Sequence, residues 1–243
     1  MDIIKVDAID STNSFLRDMN REKYLEKPVC VVTKEQLRGK GQMGTTWQSN
    51  PGENLTCSVF MPVKGIDVMD QFYISMTVSL AVCDVLDALL LPKLSIKWPN
   101  DILSDRFKIC GILIENIVNN GRLRGAIIGI GINVNQLSFD NLPRAGSLKQ
   151  LLGKNFDLEE ILSVLLTKLE QRFFVLRRSI FNNLQKEYES LLFRKNKPST
   201  FLDAKGDSFV GIIQNITSSG KLQILLEDEI IKSFDLKEVR LLY

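Results

Sequence analysis

Residues 37–47, LRGKGQMGTTW, put three glycines, Arg38, Lys40 and Trp47 into one short stretch with few aliphatic side chains. Glycine lets backbone N–H groups approach and converge on an anion, and the cations favour the same occupant, so this stretch suits a phosphate. It equally suits the solvated tip of a surface hairpin. Two further clusters hold groups able to do chemistry. "KWPND", residues 97–101, ends an apolar run with a Pro-stiffened turn bearing Asn100 and Asp101, and Lys108 stands at the head of "ICGILIE". Each also has a plain structural role, as turn caps for the pair and as a solvated strand end for the lysine.

The chain contains no histidine. Ser-His-Asp and Cys-His nucleophile pairs, HExxH zinc sites and histidine proton shuttles are therefore excluded. Chemistry must rest on Lys, Arg, Asp, Glu or a bound metal. Lys and Arg number 31 against 29 acidic residues, so no strong basic field exists for non-specific nucleic-acid binding, and a nucleotide partner would be small. Cys30, Cys57, Cys83 and Cys110 each sit inside an apolar run with no CxxC pair, which reads as four buried thiols. The opening "MDIIKVDAIDSTN" lacks a basic region followed by a long apolar one, so a cytoplasmic location is expected. The longest apolar segment, "FYISMTVSLAVCDVLDALLL", is interrupted by Asp84 and Asp87, which predicts a core helix and no membrane partner.

These groups need elements to hold them. "IIKV", "PVCVVTKE", "NLTCSVFM", "LSIKW", "KICGILIENIV" and "RLRGAIIGIGINV" read as strands, the last two joined at "NNG". "DSTNSFLRDMN" reads as a helix with a polar cap, and Asp157 with Glu160 as a capping box opening "LEEILSVLLTKLEQRFFVLRRSI", followed by a second helix ending near Phe193. The pattern predicts an α+β fold: a mixed, mostly antiparallel sheet with helices on one side. Beyond "RKNKPST" four short strand signals separated by turns follow, the rhythm of a small barrel, which predicts domains at 1–190 and 191–243. Gly39, Gly41 and Gly44 fit GxGxxG, but a strand rather than a helix follows them, so the dinucleotide-binding reading fails. No GK[ST] follows the glycines, so a Walker A loop is excluded too.

Taken together, "DSTN", the glycine loop ending in Trp47, "GENLTCSVF", "KWPND", "KICGILIE" and "GIGINVN" resemble the catalytic domain of biotin protein ligases over roughly residues 3–135. The C-terminal β region resembles that family's SH3-like domain. The resemblance implies a class II synthetase-like fold and a two-step acyl transfer. Biotin and Mg-ATP would give biotinyl-5'-adenylate and pyrophosphate, and the acyl group would pass to one lysine of a biotin carboxyl carrier domain, as in acetyl-CoA carboxylase. It also implies site roles. Ser11, Thr12, Asn13 and Gln36 match the biotin-contacting positions, together with Lys40, Gly41, Gln42 and Gly111. Lys108 matches the lysine that bonds the biotin core and acyl-phosphate oxygens, with Lys40 and Asp101 as further catalytic groups. Arg38, Gly39, Trp47, Asn100 and Asn133 fall on the nucleotide side, and Asp101 on the Mg2+ position. The loop would then be the lid that keeps water from the mixed anhydride.

The lid departs from the family's commonest pattern, GRGRxG, because Lys40 and Gln42 stand where two arginines are usual. Either Arg38 takes over some phosphate contact, or the adenylate is held less tightly. The chain begins directly at the catalytic region, so a monofunctional ligase with no DNA partner is expected; dimerisation through a sheet edge stays open. Two other readings compete: a lipoate or octanoate ligase of the same superfamily, and a non-catalytic module that senses biotin or a nucleotide.

Overall fold

Seven stretches of alternating branched and small residues pair into one sheet. In the computed structural model, which describes residues 1–63, 65–140, 142–178 and 181–243, they are β1 (Asp2–Ile9), β2 (Val29–Gln36), β3 (Leu55–Pro62), β4 (Leu94–Lys97), β5 (Asp101–Ser104), β6 (Phe107–Asn119) and β7 (Arg122–Ile132). Their order is β1-β2-β3-β7-β6-β5-β4. Only β1 and β2 run parallel; every other pairing in this sheet is antiparallel. The helices are α1 (Thr12–Lys23), α2 (Phe72–Ala88), α3 (Leu148–Leu152), α4 (Leu158–Leu176) and α5 (Phe181–Ser190). The α+β fold with a mostly antiparallel sheet is therefore the one found.

Side chains alternate across a strand, so each strand feeds two environments. On one face Cys57, Val59 and Met61 of β3 and Ile128, Ile130 and Ile132 of β7 join the main core with α2 and α4. The helix spanning 68–88 is long and apolar enough to cross a membrane, but 67% of its apolar window is buried inside the fold. Arg172 of α4 ties the helical layer together, at 2.6 Å from Asp84 of α2 and 2.7 Å from Glu187 of α5. The other face has a smaller cluster in which Leu16 of α1 meets Val29, Val31, Phe60 and Ile127. α1 thus lies opposite α2 and α4. Its apolar side, Phe15, Leu16 and Met19, packs over β2, β3 and the first half of β7, so the helices are not confined to one side of the sheet as the pattern predicts, and the glycine-bearing part of that face stays open.

A second, five-stranded antiparallel sheet follows: β8 (Pro198–Asp203), β9 (Ser208–Ile216), β10 (Leu222–Leu225), β11 (Ile231–Phe234) and β12 (Val239–Leu242), in the order β11-β10-β9-β8-β12. Phe201, Phe209 and Phe234 stack at its centre. Its fifth strand and β5 are each four residues long, too short to show a period, and neither is evident in the sequence pattern. α5 stops at Ser190, three residues before the expected end. Asp157 does cap α4, accepting from the N–H groups of Glu159 and Glu160, whereas the reciprocal capping box forms at Ser147 and Gln150 of α3. The two sheets are joined by specific bonds: Trp98 Nε1 donates to the Gly220 carbonyl at 2.9 Å and Gln185 Nε2 to that of Ile216 at 2.6 Å.

Candidate active site

The open middle of the sheet is floored by glycine. Gly111 of β6 pairs with Gly131 of β7, and Gly129 lies two residues before Gly131 on the same face. A Cβ on Gly111 would stand 2.8 Å from Trp47 Cζ3, one on Gly131 would strike the same indole, and one on Gly129 would strike Asn13 Oδ1. Removing side chains here lets Trp47 lie against the strands and leaves a cavity of about 380 Å³, within the usual range for small-molecule sites.

One end of this cavity is hydroxyl and carboxamide. Ser11 caps α1, its Oγ accepting from Ser14 N–H, so the first residues of the helix are presented with N–H groups leading. Gln36 Oε1 accepts from Thr12 N–H at 2.9 Å and Thr12 Oγ1 at 3.1 Å. Buried Ser58 donates or shares its hydroxyl with Thr12 Oγ1 at 2.6 Å and Asn13 Oδ1 at 2.5 Å, while Asn13 Nδ2 donates to Glu115 at 3.0 Å. Each group is thereby locked in one orientation. The Cys57 thiol beside this end is held well above its usual value by a hydrogen bond with Cys30 and then by burial, so it is protonated and not a nucleophile.

The other end is cationic. Lys97, Lys108 and Arg240 line it, with Asp101 as the one carboxylate, while Lys40 lines the cavity on the α1 side, its Nζ 2.9 Å from Ser14 Oγ. β5 pairs with β6 so that Asp101 faces Gly111, and the bulge between Ile102 and Leu103 brings Lys108 alongside. Lys108 Nζ lies 2.7 Å from Asp101 Oδ1 and 5.6 Å from the Trp47 ring centre; Lys97 Nζ lies 3.5 Å from Asp101 Oδ2. Lys97 is also 5.2 Å from the ring of Tyr243, whose hydroxyl is pushed up by burial and then by the Asp101 charge. Such a cluster neutralises phosphate oxygens.

The glycine loop spans the mouth. It is a narrow hairpin in which Lys40 bridges Thr46, Gly41 N–H donates to Thr45 O, and Trp47 N–H to Gly39 O. Of the residues singled out from the sequence, Ser11, Thr12, Asn13, Gln36, Lys40, Gly41, Gln42, Trp47, Asn100, Asp101, Lys108 and Gly111 all line the cavity. Arg38, Gly39 and Asn133 do not. Arg38 points outward, 3.7 Å from Asp10 with its side chain 81% exposed. A Cβ on Gly39 would strike the Trp47 carbonyl oxygen, so this glycine allows the two arms of the hairpin to close. Buried Asn133 donates to the carbonyls of Lys108 and Gly146 and so fixes the backbone from which Lys108 projects.

Asp101 fits a resident Mg2+ poorly, because both its oxygens are engaged by lysines and no group of three His, Cys, Asp or Glu side chains converges among the described residues. A phosphate-borne Mg2+, arriving with its nucleotide and keeping its waters, suits this donor set better. Lys97 and Arg240 carry no role in the motif reading, whereas Gly129 and Gly131 lie in GIGINVN, which the resemblance assigns to close backbone beside the nucleotide. The Gly-Ile-Gly alternation was a legible sign of an emptied strand face; nothing in the sequence links Arg240 to a cavity more than a hundred residues earlier.

The Biotin/lipoate A/B protein ligase family matches residues 6–133, and the chain belongs to it. It is 30% identical over 234 residues to the bifunctional ligase/repressor BirA of Salmonella typhimurium, covering 93% of this chain and 69% of that protein. To BirA of Bacillus spizizenii it is 32% identical over 176 residues, 70% of this chain and 53% of the relative, so the chain spans about half the length of that protein. A solved biotin protein ligase from Aquifex aeolicus in complex with biotin and ATP has the same fold, with a TM-score of 0.81 at 24% identity over 99% of this chain and 98% of the other.

Proposed function

We propose that the chain is an ATP-dependent biotin ligase that forms biotinyl-5'-adenylate and transfers the biotinyl group to a lysine of a biotin carboxyl carrier domain. The observation that carries this reading is one cavity lined both by the hydroxyl and carboxamide groups of Ser11, Thr12, Asn13 and Gln36 and by the Lys97, Lys108 and Asp101 cluster with Arg240. A cyclic urea needs several fixed donors and acceptors, which Ser11, Thr12, Asn13 and Gln36 offer. The hydrocarbon or dithiolane tail of octanoate or lipoate would offer nothing to the Ser11 hydroxyl hydrogen and Gln36 Nε2, the donors of this group that the protein's own bonds leave free, at a cost of about 1–3 kcal/mol for each one buried. The valerate chain would cross the glycine floor beside Trp47 and end at Lys108.

There the biotin carboxylate is its own nucleophile. An O–Pα bond forms, the bond from Pα to the bridging oxygen breaks, and pyrophosphate leaves. Lys108, held by Asp101, stabilises the charge on the phosphoryl oxygens, and Lys97 and Arg240 add to it. Mg2+ travels with ATP in this reading and neutralises phosphate charge when bound. Trp47 shelters the adenine, and the lid hairpin keeps water from the mixed anhydride. Residues 1–190 act as the ligase unit and 191–243 as a small β unit whose Arg240 completes the site. The four buried, unpaired cysteines suit a reducing, cytoplasmic setting, and no DNA contact forms part of the scheme. Exchange of labelled pyrophosphate into ATP tests the reading: exchange should require biotin, and a chain that exchanges with lipoate or octanoate instead, or with no acid, is not a biotin ligase.

A further inference from the structure

The polar groups at the hydroxyl and carboxamide end touch one another in a row that finishes on a charged pair. Gln36 Oε1, Thr12 Oγ1, Ser58 Oγ and Asn13 Oδ1 follow one another at 3.1, 2.6 and 2.5 Å, and Asn13 Nδ2 reaches Glu115 Oε2 at 3.0 Å. Glu115, on β6, does not line the cavity. Its other oxygen accepts from Arg17 Nη1 at 2.8 Å, and Arg17 Nη2 donates to Ser14 Oγ at 3.0 Å, so α1 braces the carboxylate that its own Asn13 uses. A carboxamide turned through 180° exchanges its donor and acceptor sides. Turned this way, Asn13 would set its oxygen against the Glu115 carboxylate. The other acceptor at Nδ2 is the Leu113 carbonyl, a long contact at 3.4 Å, so Glu115 is what decides how the amide stands.

We propose that Glu115, braced by Arg17, is a positioning residue that sets the direction of the hydrogen bonds along this row and so keeps the Thr12 hydroxyl oxygen free to accept from the ligand; the proposal rests on the ligase reading above. With Asn13 Nδ2 on Glu115, Asn13 Oδ1 must accept, and the single proton of Ser58 goes to it. Ser58 Oγ then accepts in its other short contact, so the Thr12 proton is shared between Ser58 Oγ and Gln36 Oε1. Both lone pairs of Thr12 Oγ1 stay unused by the protein, and Thr12 lines the cavity. A urea N–H finds its acceptor there, while the Ser11 hydroxyl hydrogen and Gln36 Nε2 remain for the urea oxygen. With the Asn13 amide turned, Nδ2 would donate to Ser58 and Ser58 to Thr12, and the oxygen that the ligand needs would already be occupied.

A double-mutant cycle on the full chain tests it. Glu115→Ala should weaken biotin about tenfold in titration calorimetry, the scale of one lost hydrogen bond, and leave ATP affinity within about twofold. In pyrophosphate exchange the KM for biotin should rise by the same factor with kcat little changed. Glu115→Gln keeps the size of the side chain but leaves one oxygen for the two donors, Asn13 and Arg17, and should fall between the parent and the alanine variant; it also serves if Glu115→Ala does not fold. In an Asn13→Ala background, Glu115→Ala should cost no further biotin affinity, because the row is already cut. Parental biotin affinity in both Glu115 variants would overturn the proposal. So would a full further loss in the Asn13→Ala background, which would show Glu115 acting outside the row, or an equal loss of biotin and ATP affinity, the mark of a loosened fold. A parent chain that binds lipoate or octanoate in place of biotin would instead remove the ligase reading itself.

Discussion

Successive residues of β7 work for two different ends. Ile128, Ile130 and Ile132 point into the core beneath α2 and α4, while Gly129 and Gly131 point the other way and present almost nothing. The period of two along a strand makes this separation available without any change of backbone. One face supplies stability through close-packed aliphatic side chains; the other gives up side chains so that a flat ring and a ligand can rest on the strands. Site and core are therefore back to back, one residue apart, and substitutions on neighbouring positions should fail in different ways.

Ile130→Ala and Gly131→Ala are the sharpest contrast. Ile130 is 2% exposed, and its truncation should lower unfolding free energy by about 2–5 kcal/mol in urea titration, with biotin affinity of the folded fraction little changed. Gly131→Ala should do the reverse, weakening biotin and ATP because the new methyl group displaces Trp47, with a stability change under about 1 kcal/mol. If both variants lose stability alike and bind alike, the division of labour between the faces is wrong. Within the site, Lys108→Ala should cut adenylate formation by about 10²–10³-fold, the usual scale for losing one preorganised charge stabiliser, and leave the melting curve in place. Near-parental exchange would reduce Lys108 to a solvated strand end.

The two faces were not equally legible. The core face is continuous aliphatic sequence, and its strands and the buried α2 can be read from it directly. The site face could be read only where chemistry-bearing residues cluster locally, as in 10–13, 36–47 and 97–111. Lys97 was hidden in plain sight within "KWPND", because its role depends on which way the strand end turns and on Tyr243, the last residue of the chain. Arg240 arrives through tertiary packing of the second sheet, which has no local signature. Arg38 illustrates the converse: its type and position suit a phosphate, but the hairpin's register aims it at Asp10. α1 reached the site face for a reason the pattern also lacked, since an amphipathic helix does not declare which side of a sheet it will cover.

Trp47 tests whether the glycine floor serves the nucleotide or only the protein. Its ring rests where Cβ atoms on Gly111 and Gly131 would be, and its Nε1 is buried with no partner among the described residues. Trp47→Ala should weaken ATP by about 1–3 kcal/mol, the range for an aromatic stacked on a base, and biotin by less. Titration calorimetry with each ligand alone decides it. An unchanged nucleotide affinity with a lowered melting temperature would make the indole part of the fold and the glycines merely its seat.

The smallest expected effect lies at the rim, where the lid meets the cavity. Lys40 lines the cavity, and its Nζ is 2.9 Å from Ser14 Oγ, while Gln42 adds an uncharged amide. Neither offers the planar fork that an arginine would bring to a phosphate. Lys40→Arg combined with Gln42→Arg should slow escape of biotinyl-adenylate by roughly threefold to tenfold, the order of about 1 kcal/mol for charge-assisted bonds in a partly exposed setting. Arg38→Ala should leave escape unchanged, because that side chain is directed at Asp10 and away from the cavity. Release is followed by quenched single turnovers without an acceptor, so that only retention is read. A faster release from Arg38→Ala would show that the lid swings Arg38 inward when the adenylate is bound, and the outward arrangement would then describe the open site alone. If the double arginine variant releases adenylate at the parental rate, the two departures at positions 40 and 42 are neutral, and retention depends on the floor and Lys108 rather than on the rim.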